Sequence, residues 1–186
     1  MNNKIVILSG DPNSINSEII YKSWKRLNMD QKKKIFLISN FELLKQQFSI
    51  LRYSIKLIKI KNIDDKIITN NLKILDIPLK FDDPFKVSFK TSSIFIKKAL
   101  NLAHDLALKG DVKGIINCPI NKKLLKKKNY GITEYLAAKC KIKNSSEVML
   151  IKNKNFSVLP ITTHINLRDV ARKINLKKII KKILTF

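Results

Sequence analysis

Glycine, cysteine, histidine and arginine are all scarce in this 186-residue chain, and each shortage excludes something. The four glycines, Gly10, Gly110, Gly114 and Gly131, cannot form a GxGxxG turn, which removes the Rossmann dinucleotide fingerprint. The two cysteines, Cys118 and Cys140, make no CxxC pair, and with only His104 and His164 they cannot build a finger-type zinc site. No apolar run approaches the roughly 18 residues of a membrane span. The first apolar stretch is too short for a secretory leader and runs straight into a turn. A soluble cytoplasmic protein with reduced thiols is therefore expected. Hydrophobic residues make up 45% of the chain, enough for a real core.

Acidic residues are also few: 14 against 38 Lys+Arg, a formal net charge of +24. Such a balance invites a nucleic-acid reading. Yet the arginines are only Arg26, Arg52, Arg168 and Arg172, and every other cation is a lysine. Arginine's planar fork is the better tool for phosphate and base edges, whereas lysine is a hydrated point charge. The lysines are spread along the chain beside abundant Ile and Asn, so solvated faces and compositional drift explain them better than a dedicated surface. Near the C-terminus Leu176, Ile179, Ile180, Ile183 and Leu184 fall at helical spacing, with Lys177, Lys178, Lys181 and Lys182 opposite and Asn175 as N-cap. A packed surface helix is expected there in preference to one lying on an anionic membrane.

Short β-branched apolar runs at 4–9 and 35–39 read as buried strands, and 55–60 as a half-exposed one. Helices are expected over 15–27 and 42–51. The stretch 62–92 is weakly patterned and reads as irregular, with room for short strands. The best helix is 93–108, where Ile96, Ala99, Leu100, Ala103 and Ala107 keep the period. A short strand follows at 114–117, helices at 121–127 and 133–139, and strands at 147–152 and 156–162. Alternating strand and helix gives an α/β class with a largely buried sheet.

Three loops each follow an expected strand, where α/β proteins place their ligands. They are Gly10 to Glu18; Cys118-Pro119-Ile120-Asn121-Lys122 with the later Gly131-Ile132-Thr133-Glu134; and Thr162 to Val170. Alone each is an ordinary turn. Together, in this order, they resemble the PdxA family of pyridoxal-phosphate biosynthesis dehydrogenases. The patterns of that family are Gly-Asp-Pro-Ala-Gly-Ile-Gly-Pro-Glu, Ala-Pro-Ile-Asn-Lys, Gly-His-Thr-Glu and Thr-Thr-His-Ile-Pro-Leu-Arg-Asp-Val.

The resemblance implies the N-terminal portion of a two-domain α/β/α fold of the isocitrate/isopropylmalate dehydrogenase type. Residues 1–186 are then one truncated unit, with the family's C-terminal half absent. It also implies oxidation, with decarboxylation, of 4-phosphohydroxy-threonine in vitamin B6 biosynthesis, using NAD and a divalent metal (Zn, Mg or Co). A metal on the alcohol oxygen would hold the developing alkoxide, and nicotinamide would take the hydride. Residue by residue, His164 matches a metal-binding histidine, Thr133 a substrate-contacting threonine, and Lys122 the lysine of Pro-Ile-Asn-Lys, where a phosphate or carboxylate contact is implied. Asp11, Arg168 and Asp169 match positions that shape loops. His104 matches no family site and reads as structural.

Departures accompany the match. Ile132 stands where the family has a substrate-contacting histidine, so that polar contact is lost. Ser14 and Asn16 replace the two glycines of the first turn, and Ser17 its proline. One histidine does not hold a catalytic metal. The isolated chain is therefore expected to be inactive, to expose apolar surface and to associate, either as a homodimer or with a complementing C-terminal polypeptide. Two other readings stay open: an inactive relative retaining phosphate binding or an interaction role, and a basic nucleic-acid-binding protein.

Overall fold

The computed structural model describes residues 3–64, 70–125, 131–140, 148–162 and 165–185. The chain divides into two compact units, Met1–Asn129 and Tyr130–Phe186.

The first unit is built on a parallel sheet. Its strands are β1 (Ile5–Leu8), β2 (Ile35–Ser39), β3 (Leu57–Ile60), β4 (Leu72–Asp76) and β5 (Gly114–Asn117), in the order β3-β4-β2-β1-β5. Every neighbouring pair is parallel; in register, Ile5 lies opposite both Ile35 and Gly114. Parallel strands buried on both faces carry apolar side chains on both, and Ile35–Ser39 is buried at every position. Alternation sends Ile35 and Leu37 to one face and Phe36 and Ile38 to the other.

Among the described residues of this unit are the helices α1 (Asn16–Arg26), α2 (Met29–Lys34), α3 (Phe41–Ile50) and α4 (Phe89–Leu108). On one face Ile20 and Trp24 of α1 and Leu44 and Phe48 of α3 close over Ile35, Leu37, Leu72, Ile74 and Cys118. The long α4 lies against β1, β2 and β5. Its Phe95, Ile96, Ala99, Leu100 and Ala103 are buried, while Ala107 is exposed.

The strands expected at 4–9, 35–39 and 114–117 and the first two helices form within a residue or two of their expected ends. The stretch 62–92, read as irregular with room for short strands, holds β4, an inner strand with Leu72 and Ile74 fully buried. Lys73 breaks its apolar run, which hid it. The Lys73 ammonium is accommodated by the Lys33 carbonyl at 2.5 Å, at the end of α2, and by the Phe36 ring, 4.1 Å from its centroid. Helix α4 also begins four residues before its expected start, because Ser88 caps it: the Thr91 N–H donates to Ser88 Oγ at 3.2 Å. The sheet is buried through β2 and β4 but not at its β5 edge, where Ile116 is half exposed.

The second unit holds α5 (Ile132–Lys139), a small antiparallel hairpin of β6 (Ile151–Lys152) and β7 (Ser157–Val158), α6 (Val170–Lys173) and α7 (Leu176–Thr185). Asn175 caps α7 as expected, accepting from the Lys178 N–H at 2.9 Å. The expected packing of α7 is overturned: Leu176, Ile180, Ile183 and Leu184 are all exposed, up to 81% at Leu184. Of the described residues in this unit only Ala137 is buried, so among them α7 finds no core of its own unit to pack on. Among the described residues no helix is long and apolar enough to cross a membrane.

Candidate functional site

In the sheet order the chain leaves β1 for β2 on one side and later places β5 on the other. The gap beyond the carboxyl ends of β1 and β5 is the topological switch point, where open α/β sheets keep their ligand crevice. Two of the three loops singled out in the sequence, those after Ser9 and Asn117, meet there.

The turn after β1 is tightly organised. Gly10 has φ +74°, and a Cβ on it would lie 2.4 Å from Asn16 Nδ2 and 2.6 Å from the Pro119 carbonyl oxygen. Only glycine fits. The Asp11 N–H donates to the Pro119 carbonyl at 3.2 Å. The Asp11 carboxylate accepts from the Asn13 N–H at 3.0 Å, and its carbonyl accepts from Ser14 Oγ at 2.8 Å. Three amide side chains then staple this turn to distant segments. Asn13 pairs with the Val87 backbone in both directions, at 2.7 and 2.8 Å. Gln47 donates to the carbonyls of Pro12 at 3.0 Å and Pro84 at 2.7 Å. Asn16 donates to the Pro119 carbonyl at 2.8 Å. Asn16 thus bridges the two loops that meet at the crevice.

Sequence reasoning did not find Gln47 or Asn13. A signal existed for Gln47: it shares the buried stripe of Leu43, Leu44 and Phe48, and a polar residue in such a stripe needs partners. Asn13 carried no signal beyond its place in a turn.

On the β5 side, Cys118 is buried and its thiol is pushed up to about 11 by that burial, which makes it a poor nucleophile. Asn121 Oδ1 accepts from the Lys123 N–H at 3.1 Å and starts a single 3-10 turn over Lys122–Leu125, tied to α4 by Ser93 Oγ donating to the Leu124 carbonyl at 2.6 Å. Lys122 stands exposed on this turn. Loop and lysine are placed by the same strand that fixes Cys118.

Within the second unit, Thr133 is exposed in the first turn of α5 and Ile132 precedes it, half buried. The Glu134 carboxylate accepts from the Gly131 N–H at 2.8 Å and sets the entry to that helix. Arg168 and Asp169 lie on a 3-10 turn over Leu167–Asp169; Arg168 is exposed, and the Asp169 N–H donates to the Asn166 carbonyl at 3.0 Å. His164 and Thr163 lie outside the described residues. His104 is buried mid-helix with Nδ1 3.3 Å from Asp105 Oδ1.

The described residues do not by themselves fit a metal. Among them no three His, Cys, Asp or Glu side chains gather as a metal centre. In the turn after β1 the Asp11 N–H is spent on the Pro119 carbonyl and the Asn13 N–H on the Asp11 carboxylate, so neither is left for a pyrophosphate.

Comparison with known proteins follows the same outline. The sequence model of the family described as "Pyridoxal phosphate biosynthetic protein PdxA" matches residues 31–186. A 4-hydroxythreonine-4-phosphate dehydrogenase of Sulfurihydrogenibium sp. is 29% identical over 187 residues, covering 97% of this chain and 55% of the relative. One from Zymomonas mobilis is 27% identical, covering 96% and 53%. Among solved structures, a 4-hydroxythreonine-4-phosphate dehydrogenase from Burkholderia phymatum superposes with TM-score 0.86 at 24% identity, covering 99% of this chain and 57% of that one. The Klebsiella pneumoniae enzyme gives 0.80 at 22%, covering 97% and 57%. The α/β fold is thus that of the N-terminal portion of these dehydrogenases, and the chain spans about half the length of the curated relatives it matches. With most of its length under one family's pattern, the chain belongs to the PdxA family.

Proposed function

We propose that this chain is the N-terminal, substrate-side part of a 4-hydroxythreonine-4-phosphate dehydrogenase acting in cytoplasmic vitamin B6 biosynthesis, complete only with the C-terminal half that its relatives carry. The observation that carries this is the family match over residues 31–186 by a chain that covers only about half of each relative. In this reading residues 1–186 act as one functional piece. Lys122 and Thr133, both exposed, contact the phosphorylated substrate: an ammonium offers up to three donors to a phosphate, and a hydroxyl offers one. Asp11, Arg168 and Asp169 hold the loops in shape. His164 is the metal ligand this chain brings, and the remaining ligands and the NAD site belong to the other half. The completed protein works as a homodimer or as a complex of complementing polypeptides. Among the described residues no three His, Cys, Asp or Glu side chains gather, so in this reading the metal site is completed from the other half.

The test mixes this chain with the C-terminal half of the Sulfurihydrogenibium relative, substrate, NAD and each divalent metal in turn, and follows NADH absorbance. No turnover is expected from the chain alone. Turnover is expected from the mixture, and it should fall by more than tenfold in His164→Ala. A silent mixture at every metal concentration overturns the proposal. Ile132 and the Asn16 bridge across the crevice favour one other reading, a non-catalytic relative that keeps its fold and an interaction role. That reading gains if calorimetry finds a folded chain that takes up neither metal nor NAD in the mixture.

A further inference from the structure

Asn16 opens α1 and is 3% exposed. Which way its amide points is decided by chemistry: Nδ2 faces the carbonyl oxygens of Pro119 at 2.8 Å and Asp11 at 3.3 Å, and the reversed amide would set Oδ1 against two acceptors. Oδ1 is therefore the atom turned inward. It is buried, and no donor of the described residues reaches it. Native proteins rarely leave such a carbonyl unanswered.

Asn16 lines a cavity of about 10 Å³, together with Ser9, Asp11, Ser17, Ser39 and Gln47 among polar residues and Pro12, Ile20, Leu43 and Leu44 among apolar ones. That volume is roughly the room one water molecule needs. Ser9, Ser17 and Ser39 are all buried; the Ser39 hydroxyl donates to the Asn40 carbonyl at 3.4 Å and can still accept, and the other two can do both. A site with one unanswered acceptor and three adaptable hydroxyls supplies the two to four partners that an internal water requires.

We propose that a single internal water is bound in this cavity, donating to Asn16 Oδ1 and exchanging hydrogen bonds with the serine hydroxyls at the ends of β1 and β2 and the start of α1. The water completes a seal. Asn16 closes the β1/β5 crevice from its Nδ2 side, and the water anchors the opposite edge of the same amide to the floor of the sheet. The turn that resembles a ligand cradle is, in this chain, a water-locked joint. The inference stands whether or not the chain takes part in a dehydrogenase.

A crystal structure of the chain at a resolution that shows ordered waters tests this directly. The expected result is a well-ordered water about 2.7–3.2 Å from Asn16 Oδ1 and from at least one of the Ser9, Ser17 and Ser39 hydroxyls. Absence of that water, a protein donor on Oδ1, or a peak with five or more close oxygen neighbours (a bound cation) overturns it. In solution, oxygen-17 relaxation dispersion should count one long-lived internal water more in the native chain than in Asn16→Ala or Ser39→Ala. An unchanged count in a folded variant also overturns it, and if neither variant folds the native crystal decides alone.

Discussion

Arg52 carries the left-handed backbone (φ 56°) that ends α3, a place where glycine is the usual occupant. The end is closed by two hydrogen bonds, Arg52 N–H to the Ser49 carbonyl at 3.1 Å and Tyr53 N–H to the Phe48 carbonyl at 2.8 Å. The Tyr53 ring packs edge-on against Phe48 and stacks on Tyr21 at 4.0 Å, so the turn is held from outside although arginine dislikes it. Arg52→Gly should relieve the Cβ clash at some entropic cost and raise stability by about 0.5–1 kcal/mol, read from urea denaturation. Two buried ionisable groups act at alkaline pH in opposite senses. Burial lowers the Lys73 pKa, and the charge of Lys4 adds to this, so the folded chain releases that proton before the unfolded one. Stability gained from Lys73 therefore rises as pH climbs through its lowered value toward the ordinary lysine range, and Lys73→Met should remove that rise. Burial raises the Cys118 thiol from 9.0 to about 11, so the folded chain keeps a proton that the unfolded chain loses. Its contribution is level below pH 9.0 and falls by about 2–3 kcal/mol as pH reaches about 11. The same burial predicts thiol labelling: in the native chain at neutral pH iodoacetamide should modify the exposed Cys140 and spare Cys118, and both should react in urea. Early labelling of Cys118 would refute its place in the core.

Elements differ in how openly the sequence announced them. The strands β1, β2 and β5 were legible because an inner parallel strand is a short β-branched run between breakers, and Gly10, Asn40 and Gly114 mark the boundaries. Lys73 concealed β4, since its partners are a carbonyl and a ring from other elements, which no local pattern encodes. The loops of the candidate site were legible in position through their motif residues. Their closure was not, because Asn16 meets Pro119 across 103 positions of chain. The strands expected at 147–152 and 156–162 shrink to the two-residue β6 and β7, with Glu147 outside the described residues; alternation without a buried face to pack on does not sustain a long strand. The apolar stripe of α7 is plain in the sequence, yet nothing in a stripe says what covers it. Left open, Leu176, Ile180, Ile183 and Leu184 should drive concentration-dependent association of the chain. Ile180→Lys with Ile183→Lys should shift sedimentation toward the monomer and leave the melting of the first unit unchanged. Persistent association in that variant would place the contact elsewhere.

At the scale of the whole molecule, stability and charge are unevenly useful. A net charge of +24 ensures weak retention on any polyanion. Without an arginine-lined surface that retention should lack sequence preference and vanish by about 0.2–0.3 M salt. Binding that survives such salt, or that discriminates between nucleic-acid sequences, would restore a nucleic-acid role. Burial, by contrast, is concentrated in the first unit, where β1 and β2 lie between α4 and the α1/α3 pair and β4 is buried beneath α1 and α3. The described residues of the second unit bury only Ala137, while Met149, Leu150, Ile151, Phe156 and Leu167 face solvent with α7. Local unfolding costs little where few apolar groups leave each other's company, and it approaches the global cost where a strand lies between two layers. Hydrogen exchange on the full chain should therefore show its slowest amides in Val6–Leu8, Phe36–Ile38 and Ile74–Leu75. Amides of α5, β6 and β7 should exchange orders of magnitude faster, and adding the C-terminal half of a relative should slow them while leaving the sheet amides as they were. If the second unit is already as protected as the sheet in the chain alone, it has a core that its exposed side chains do not reveal, and complementation would have nothing left to stabilise.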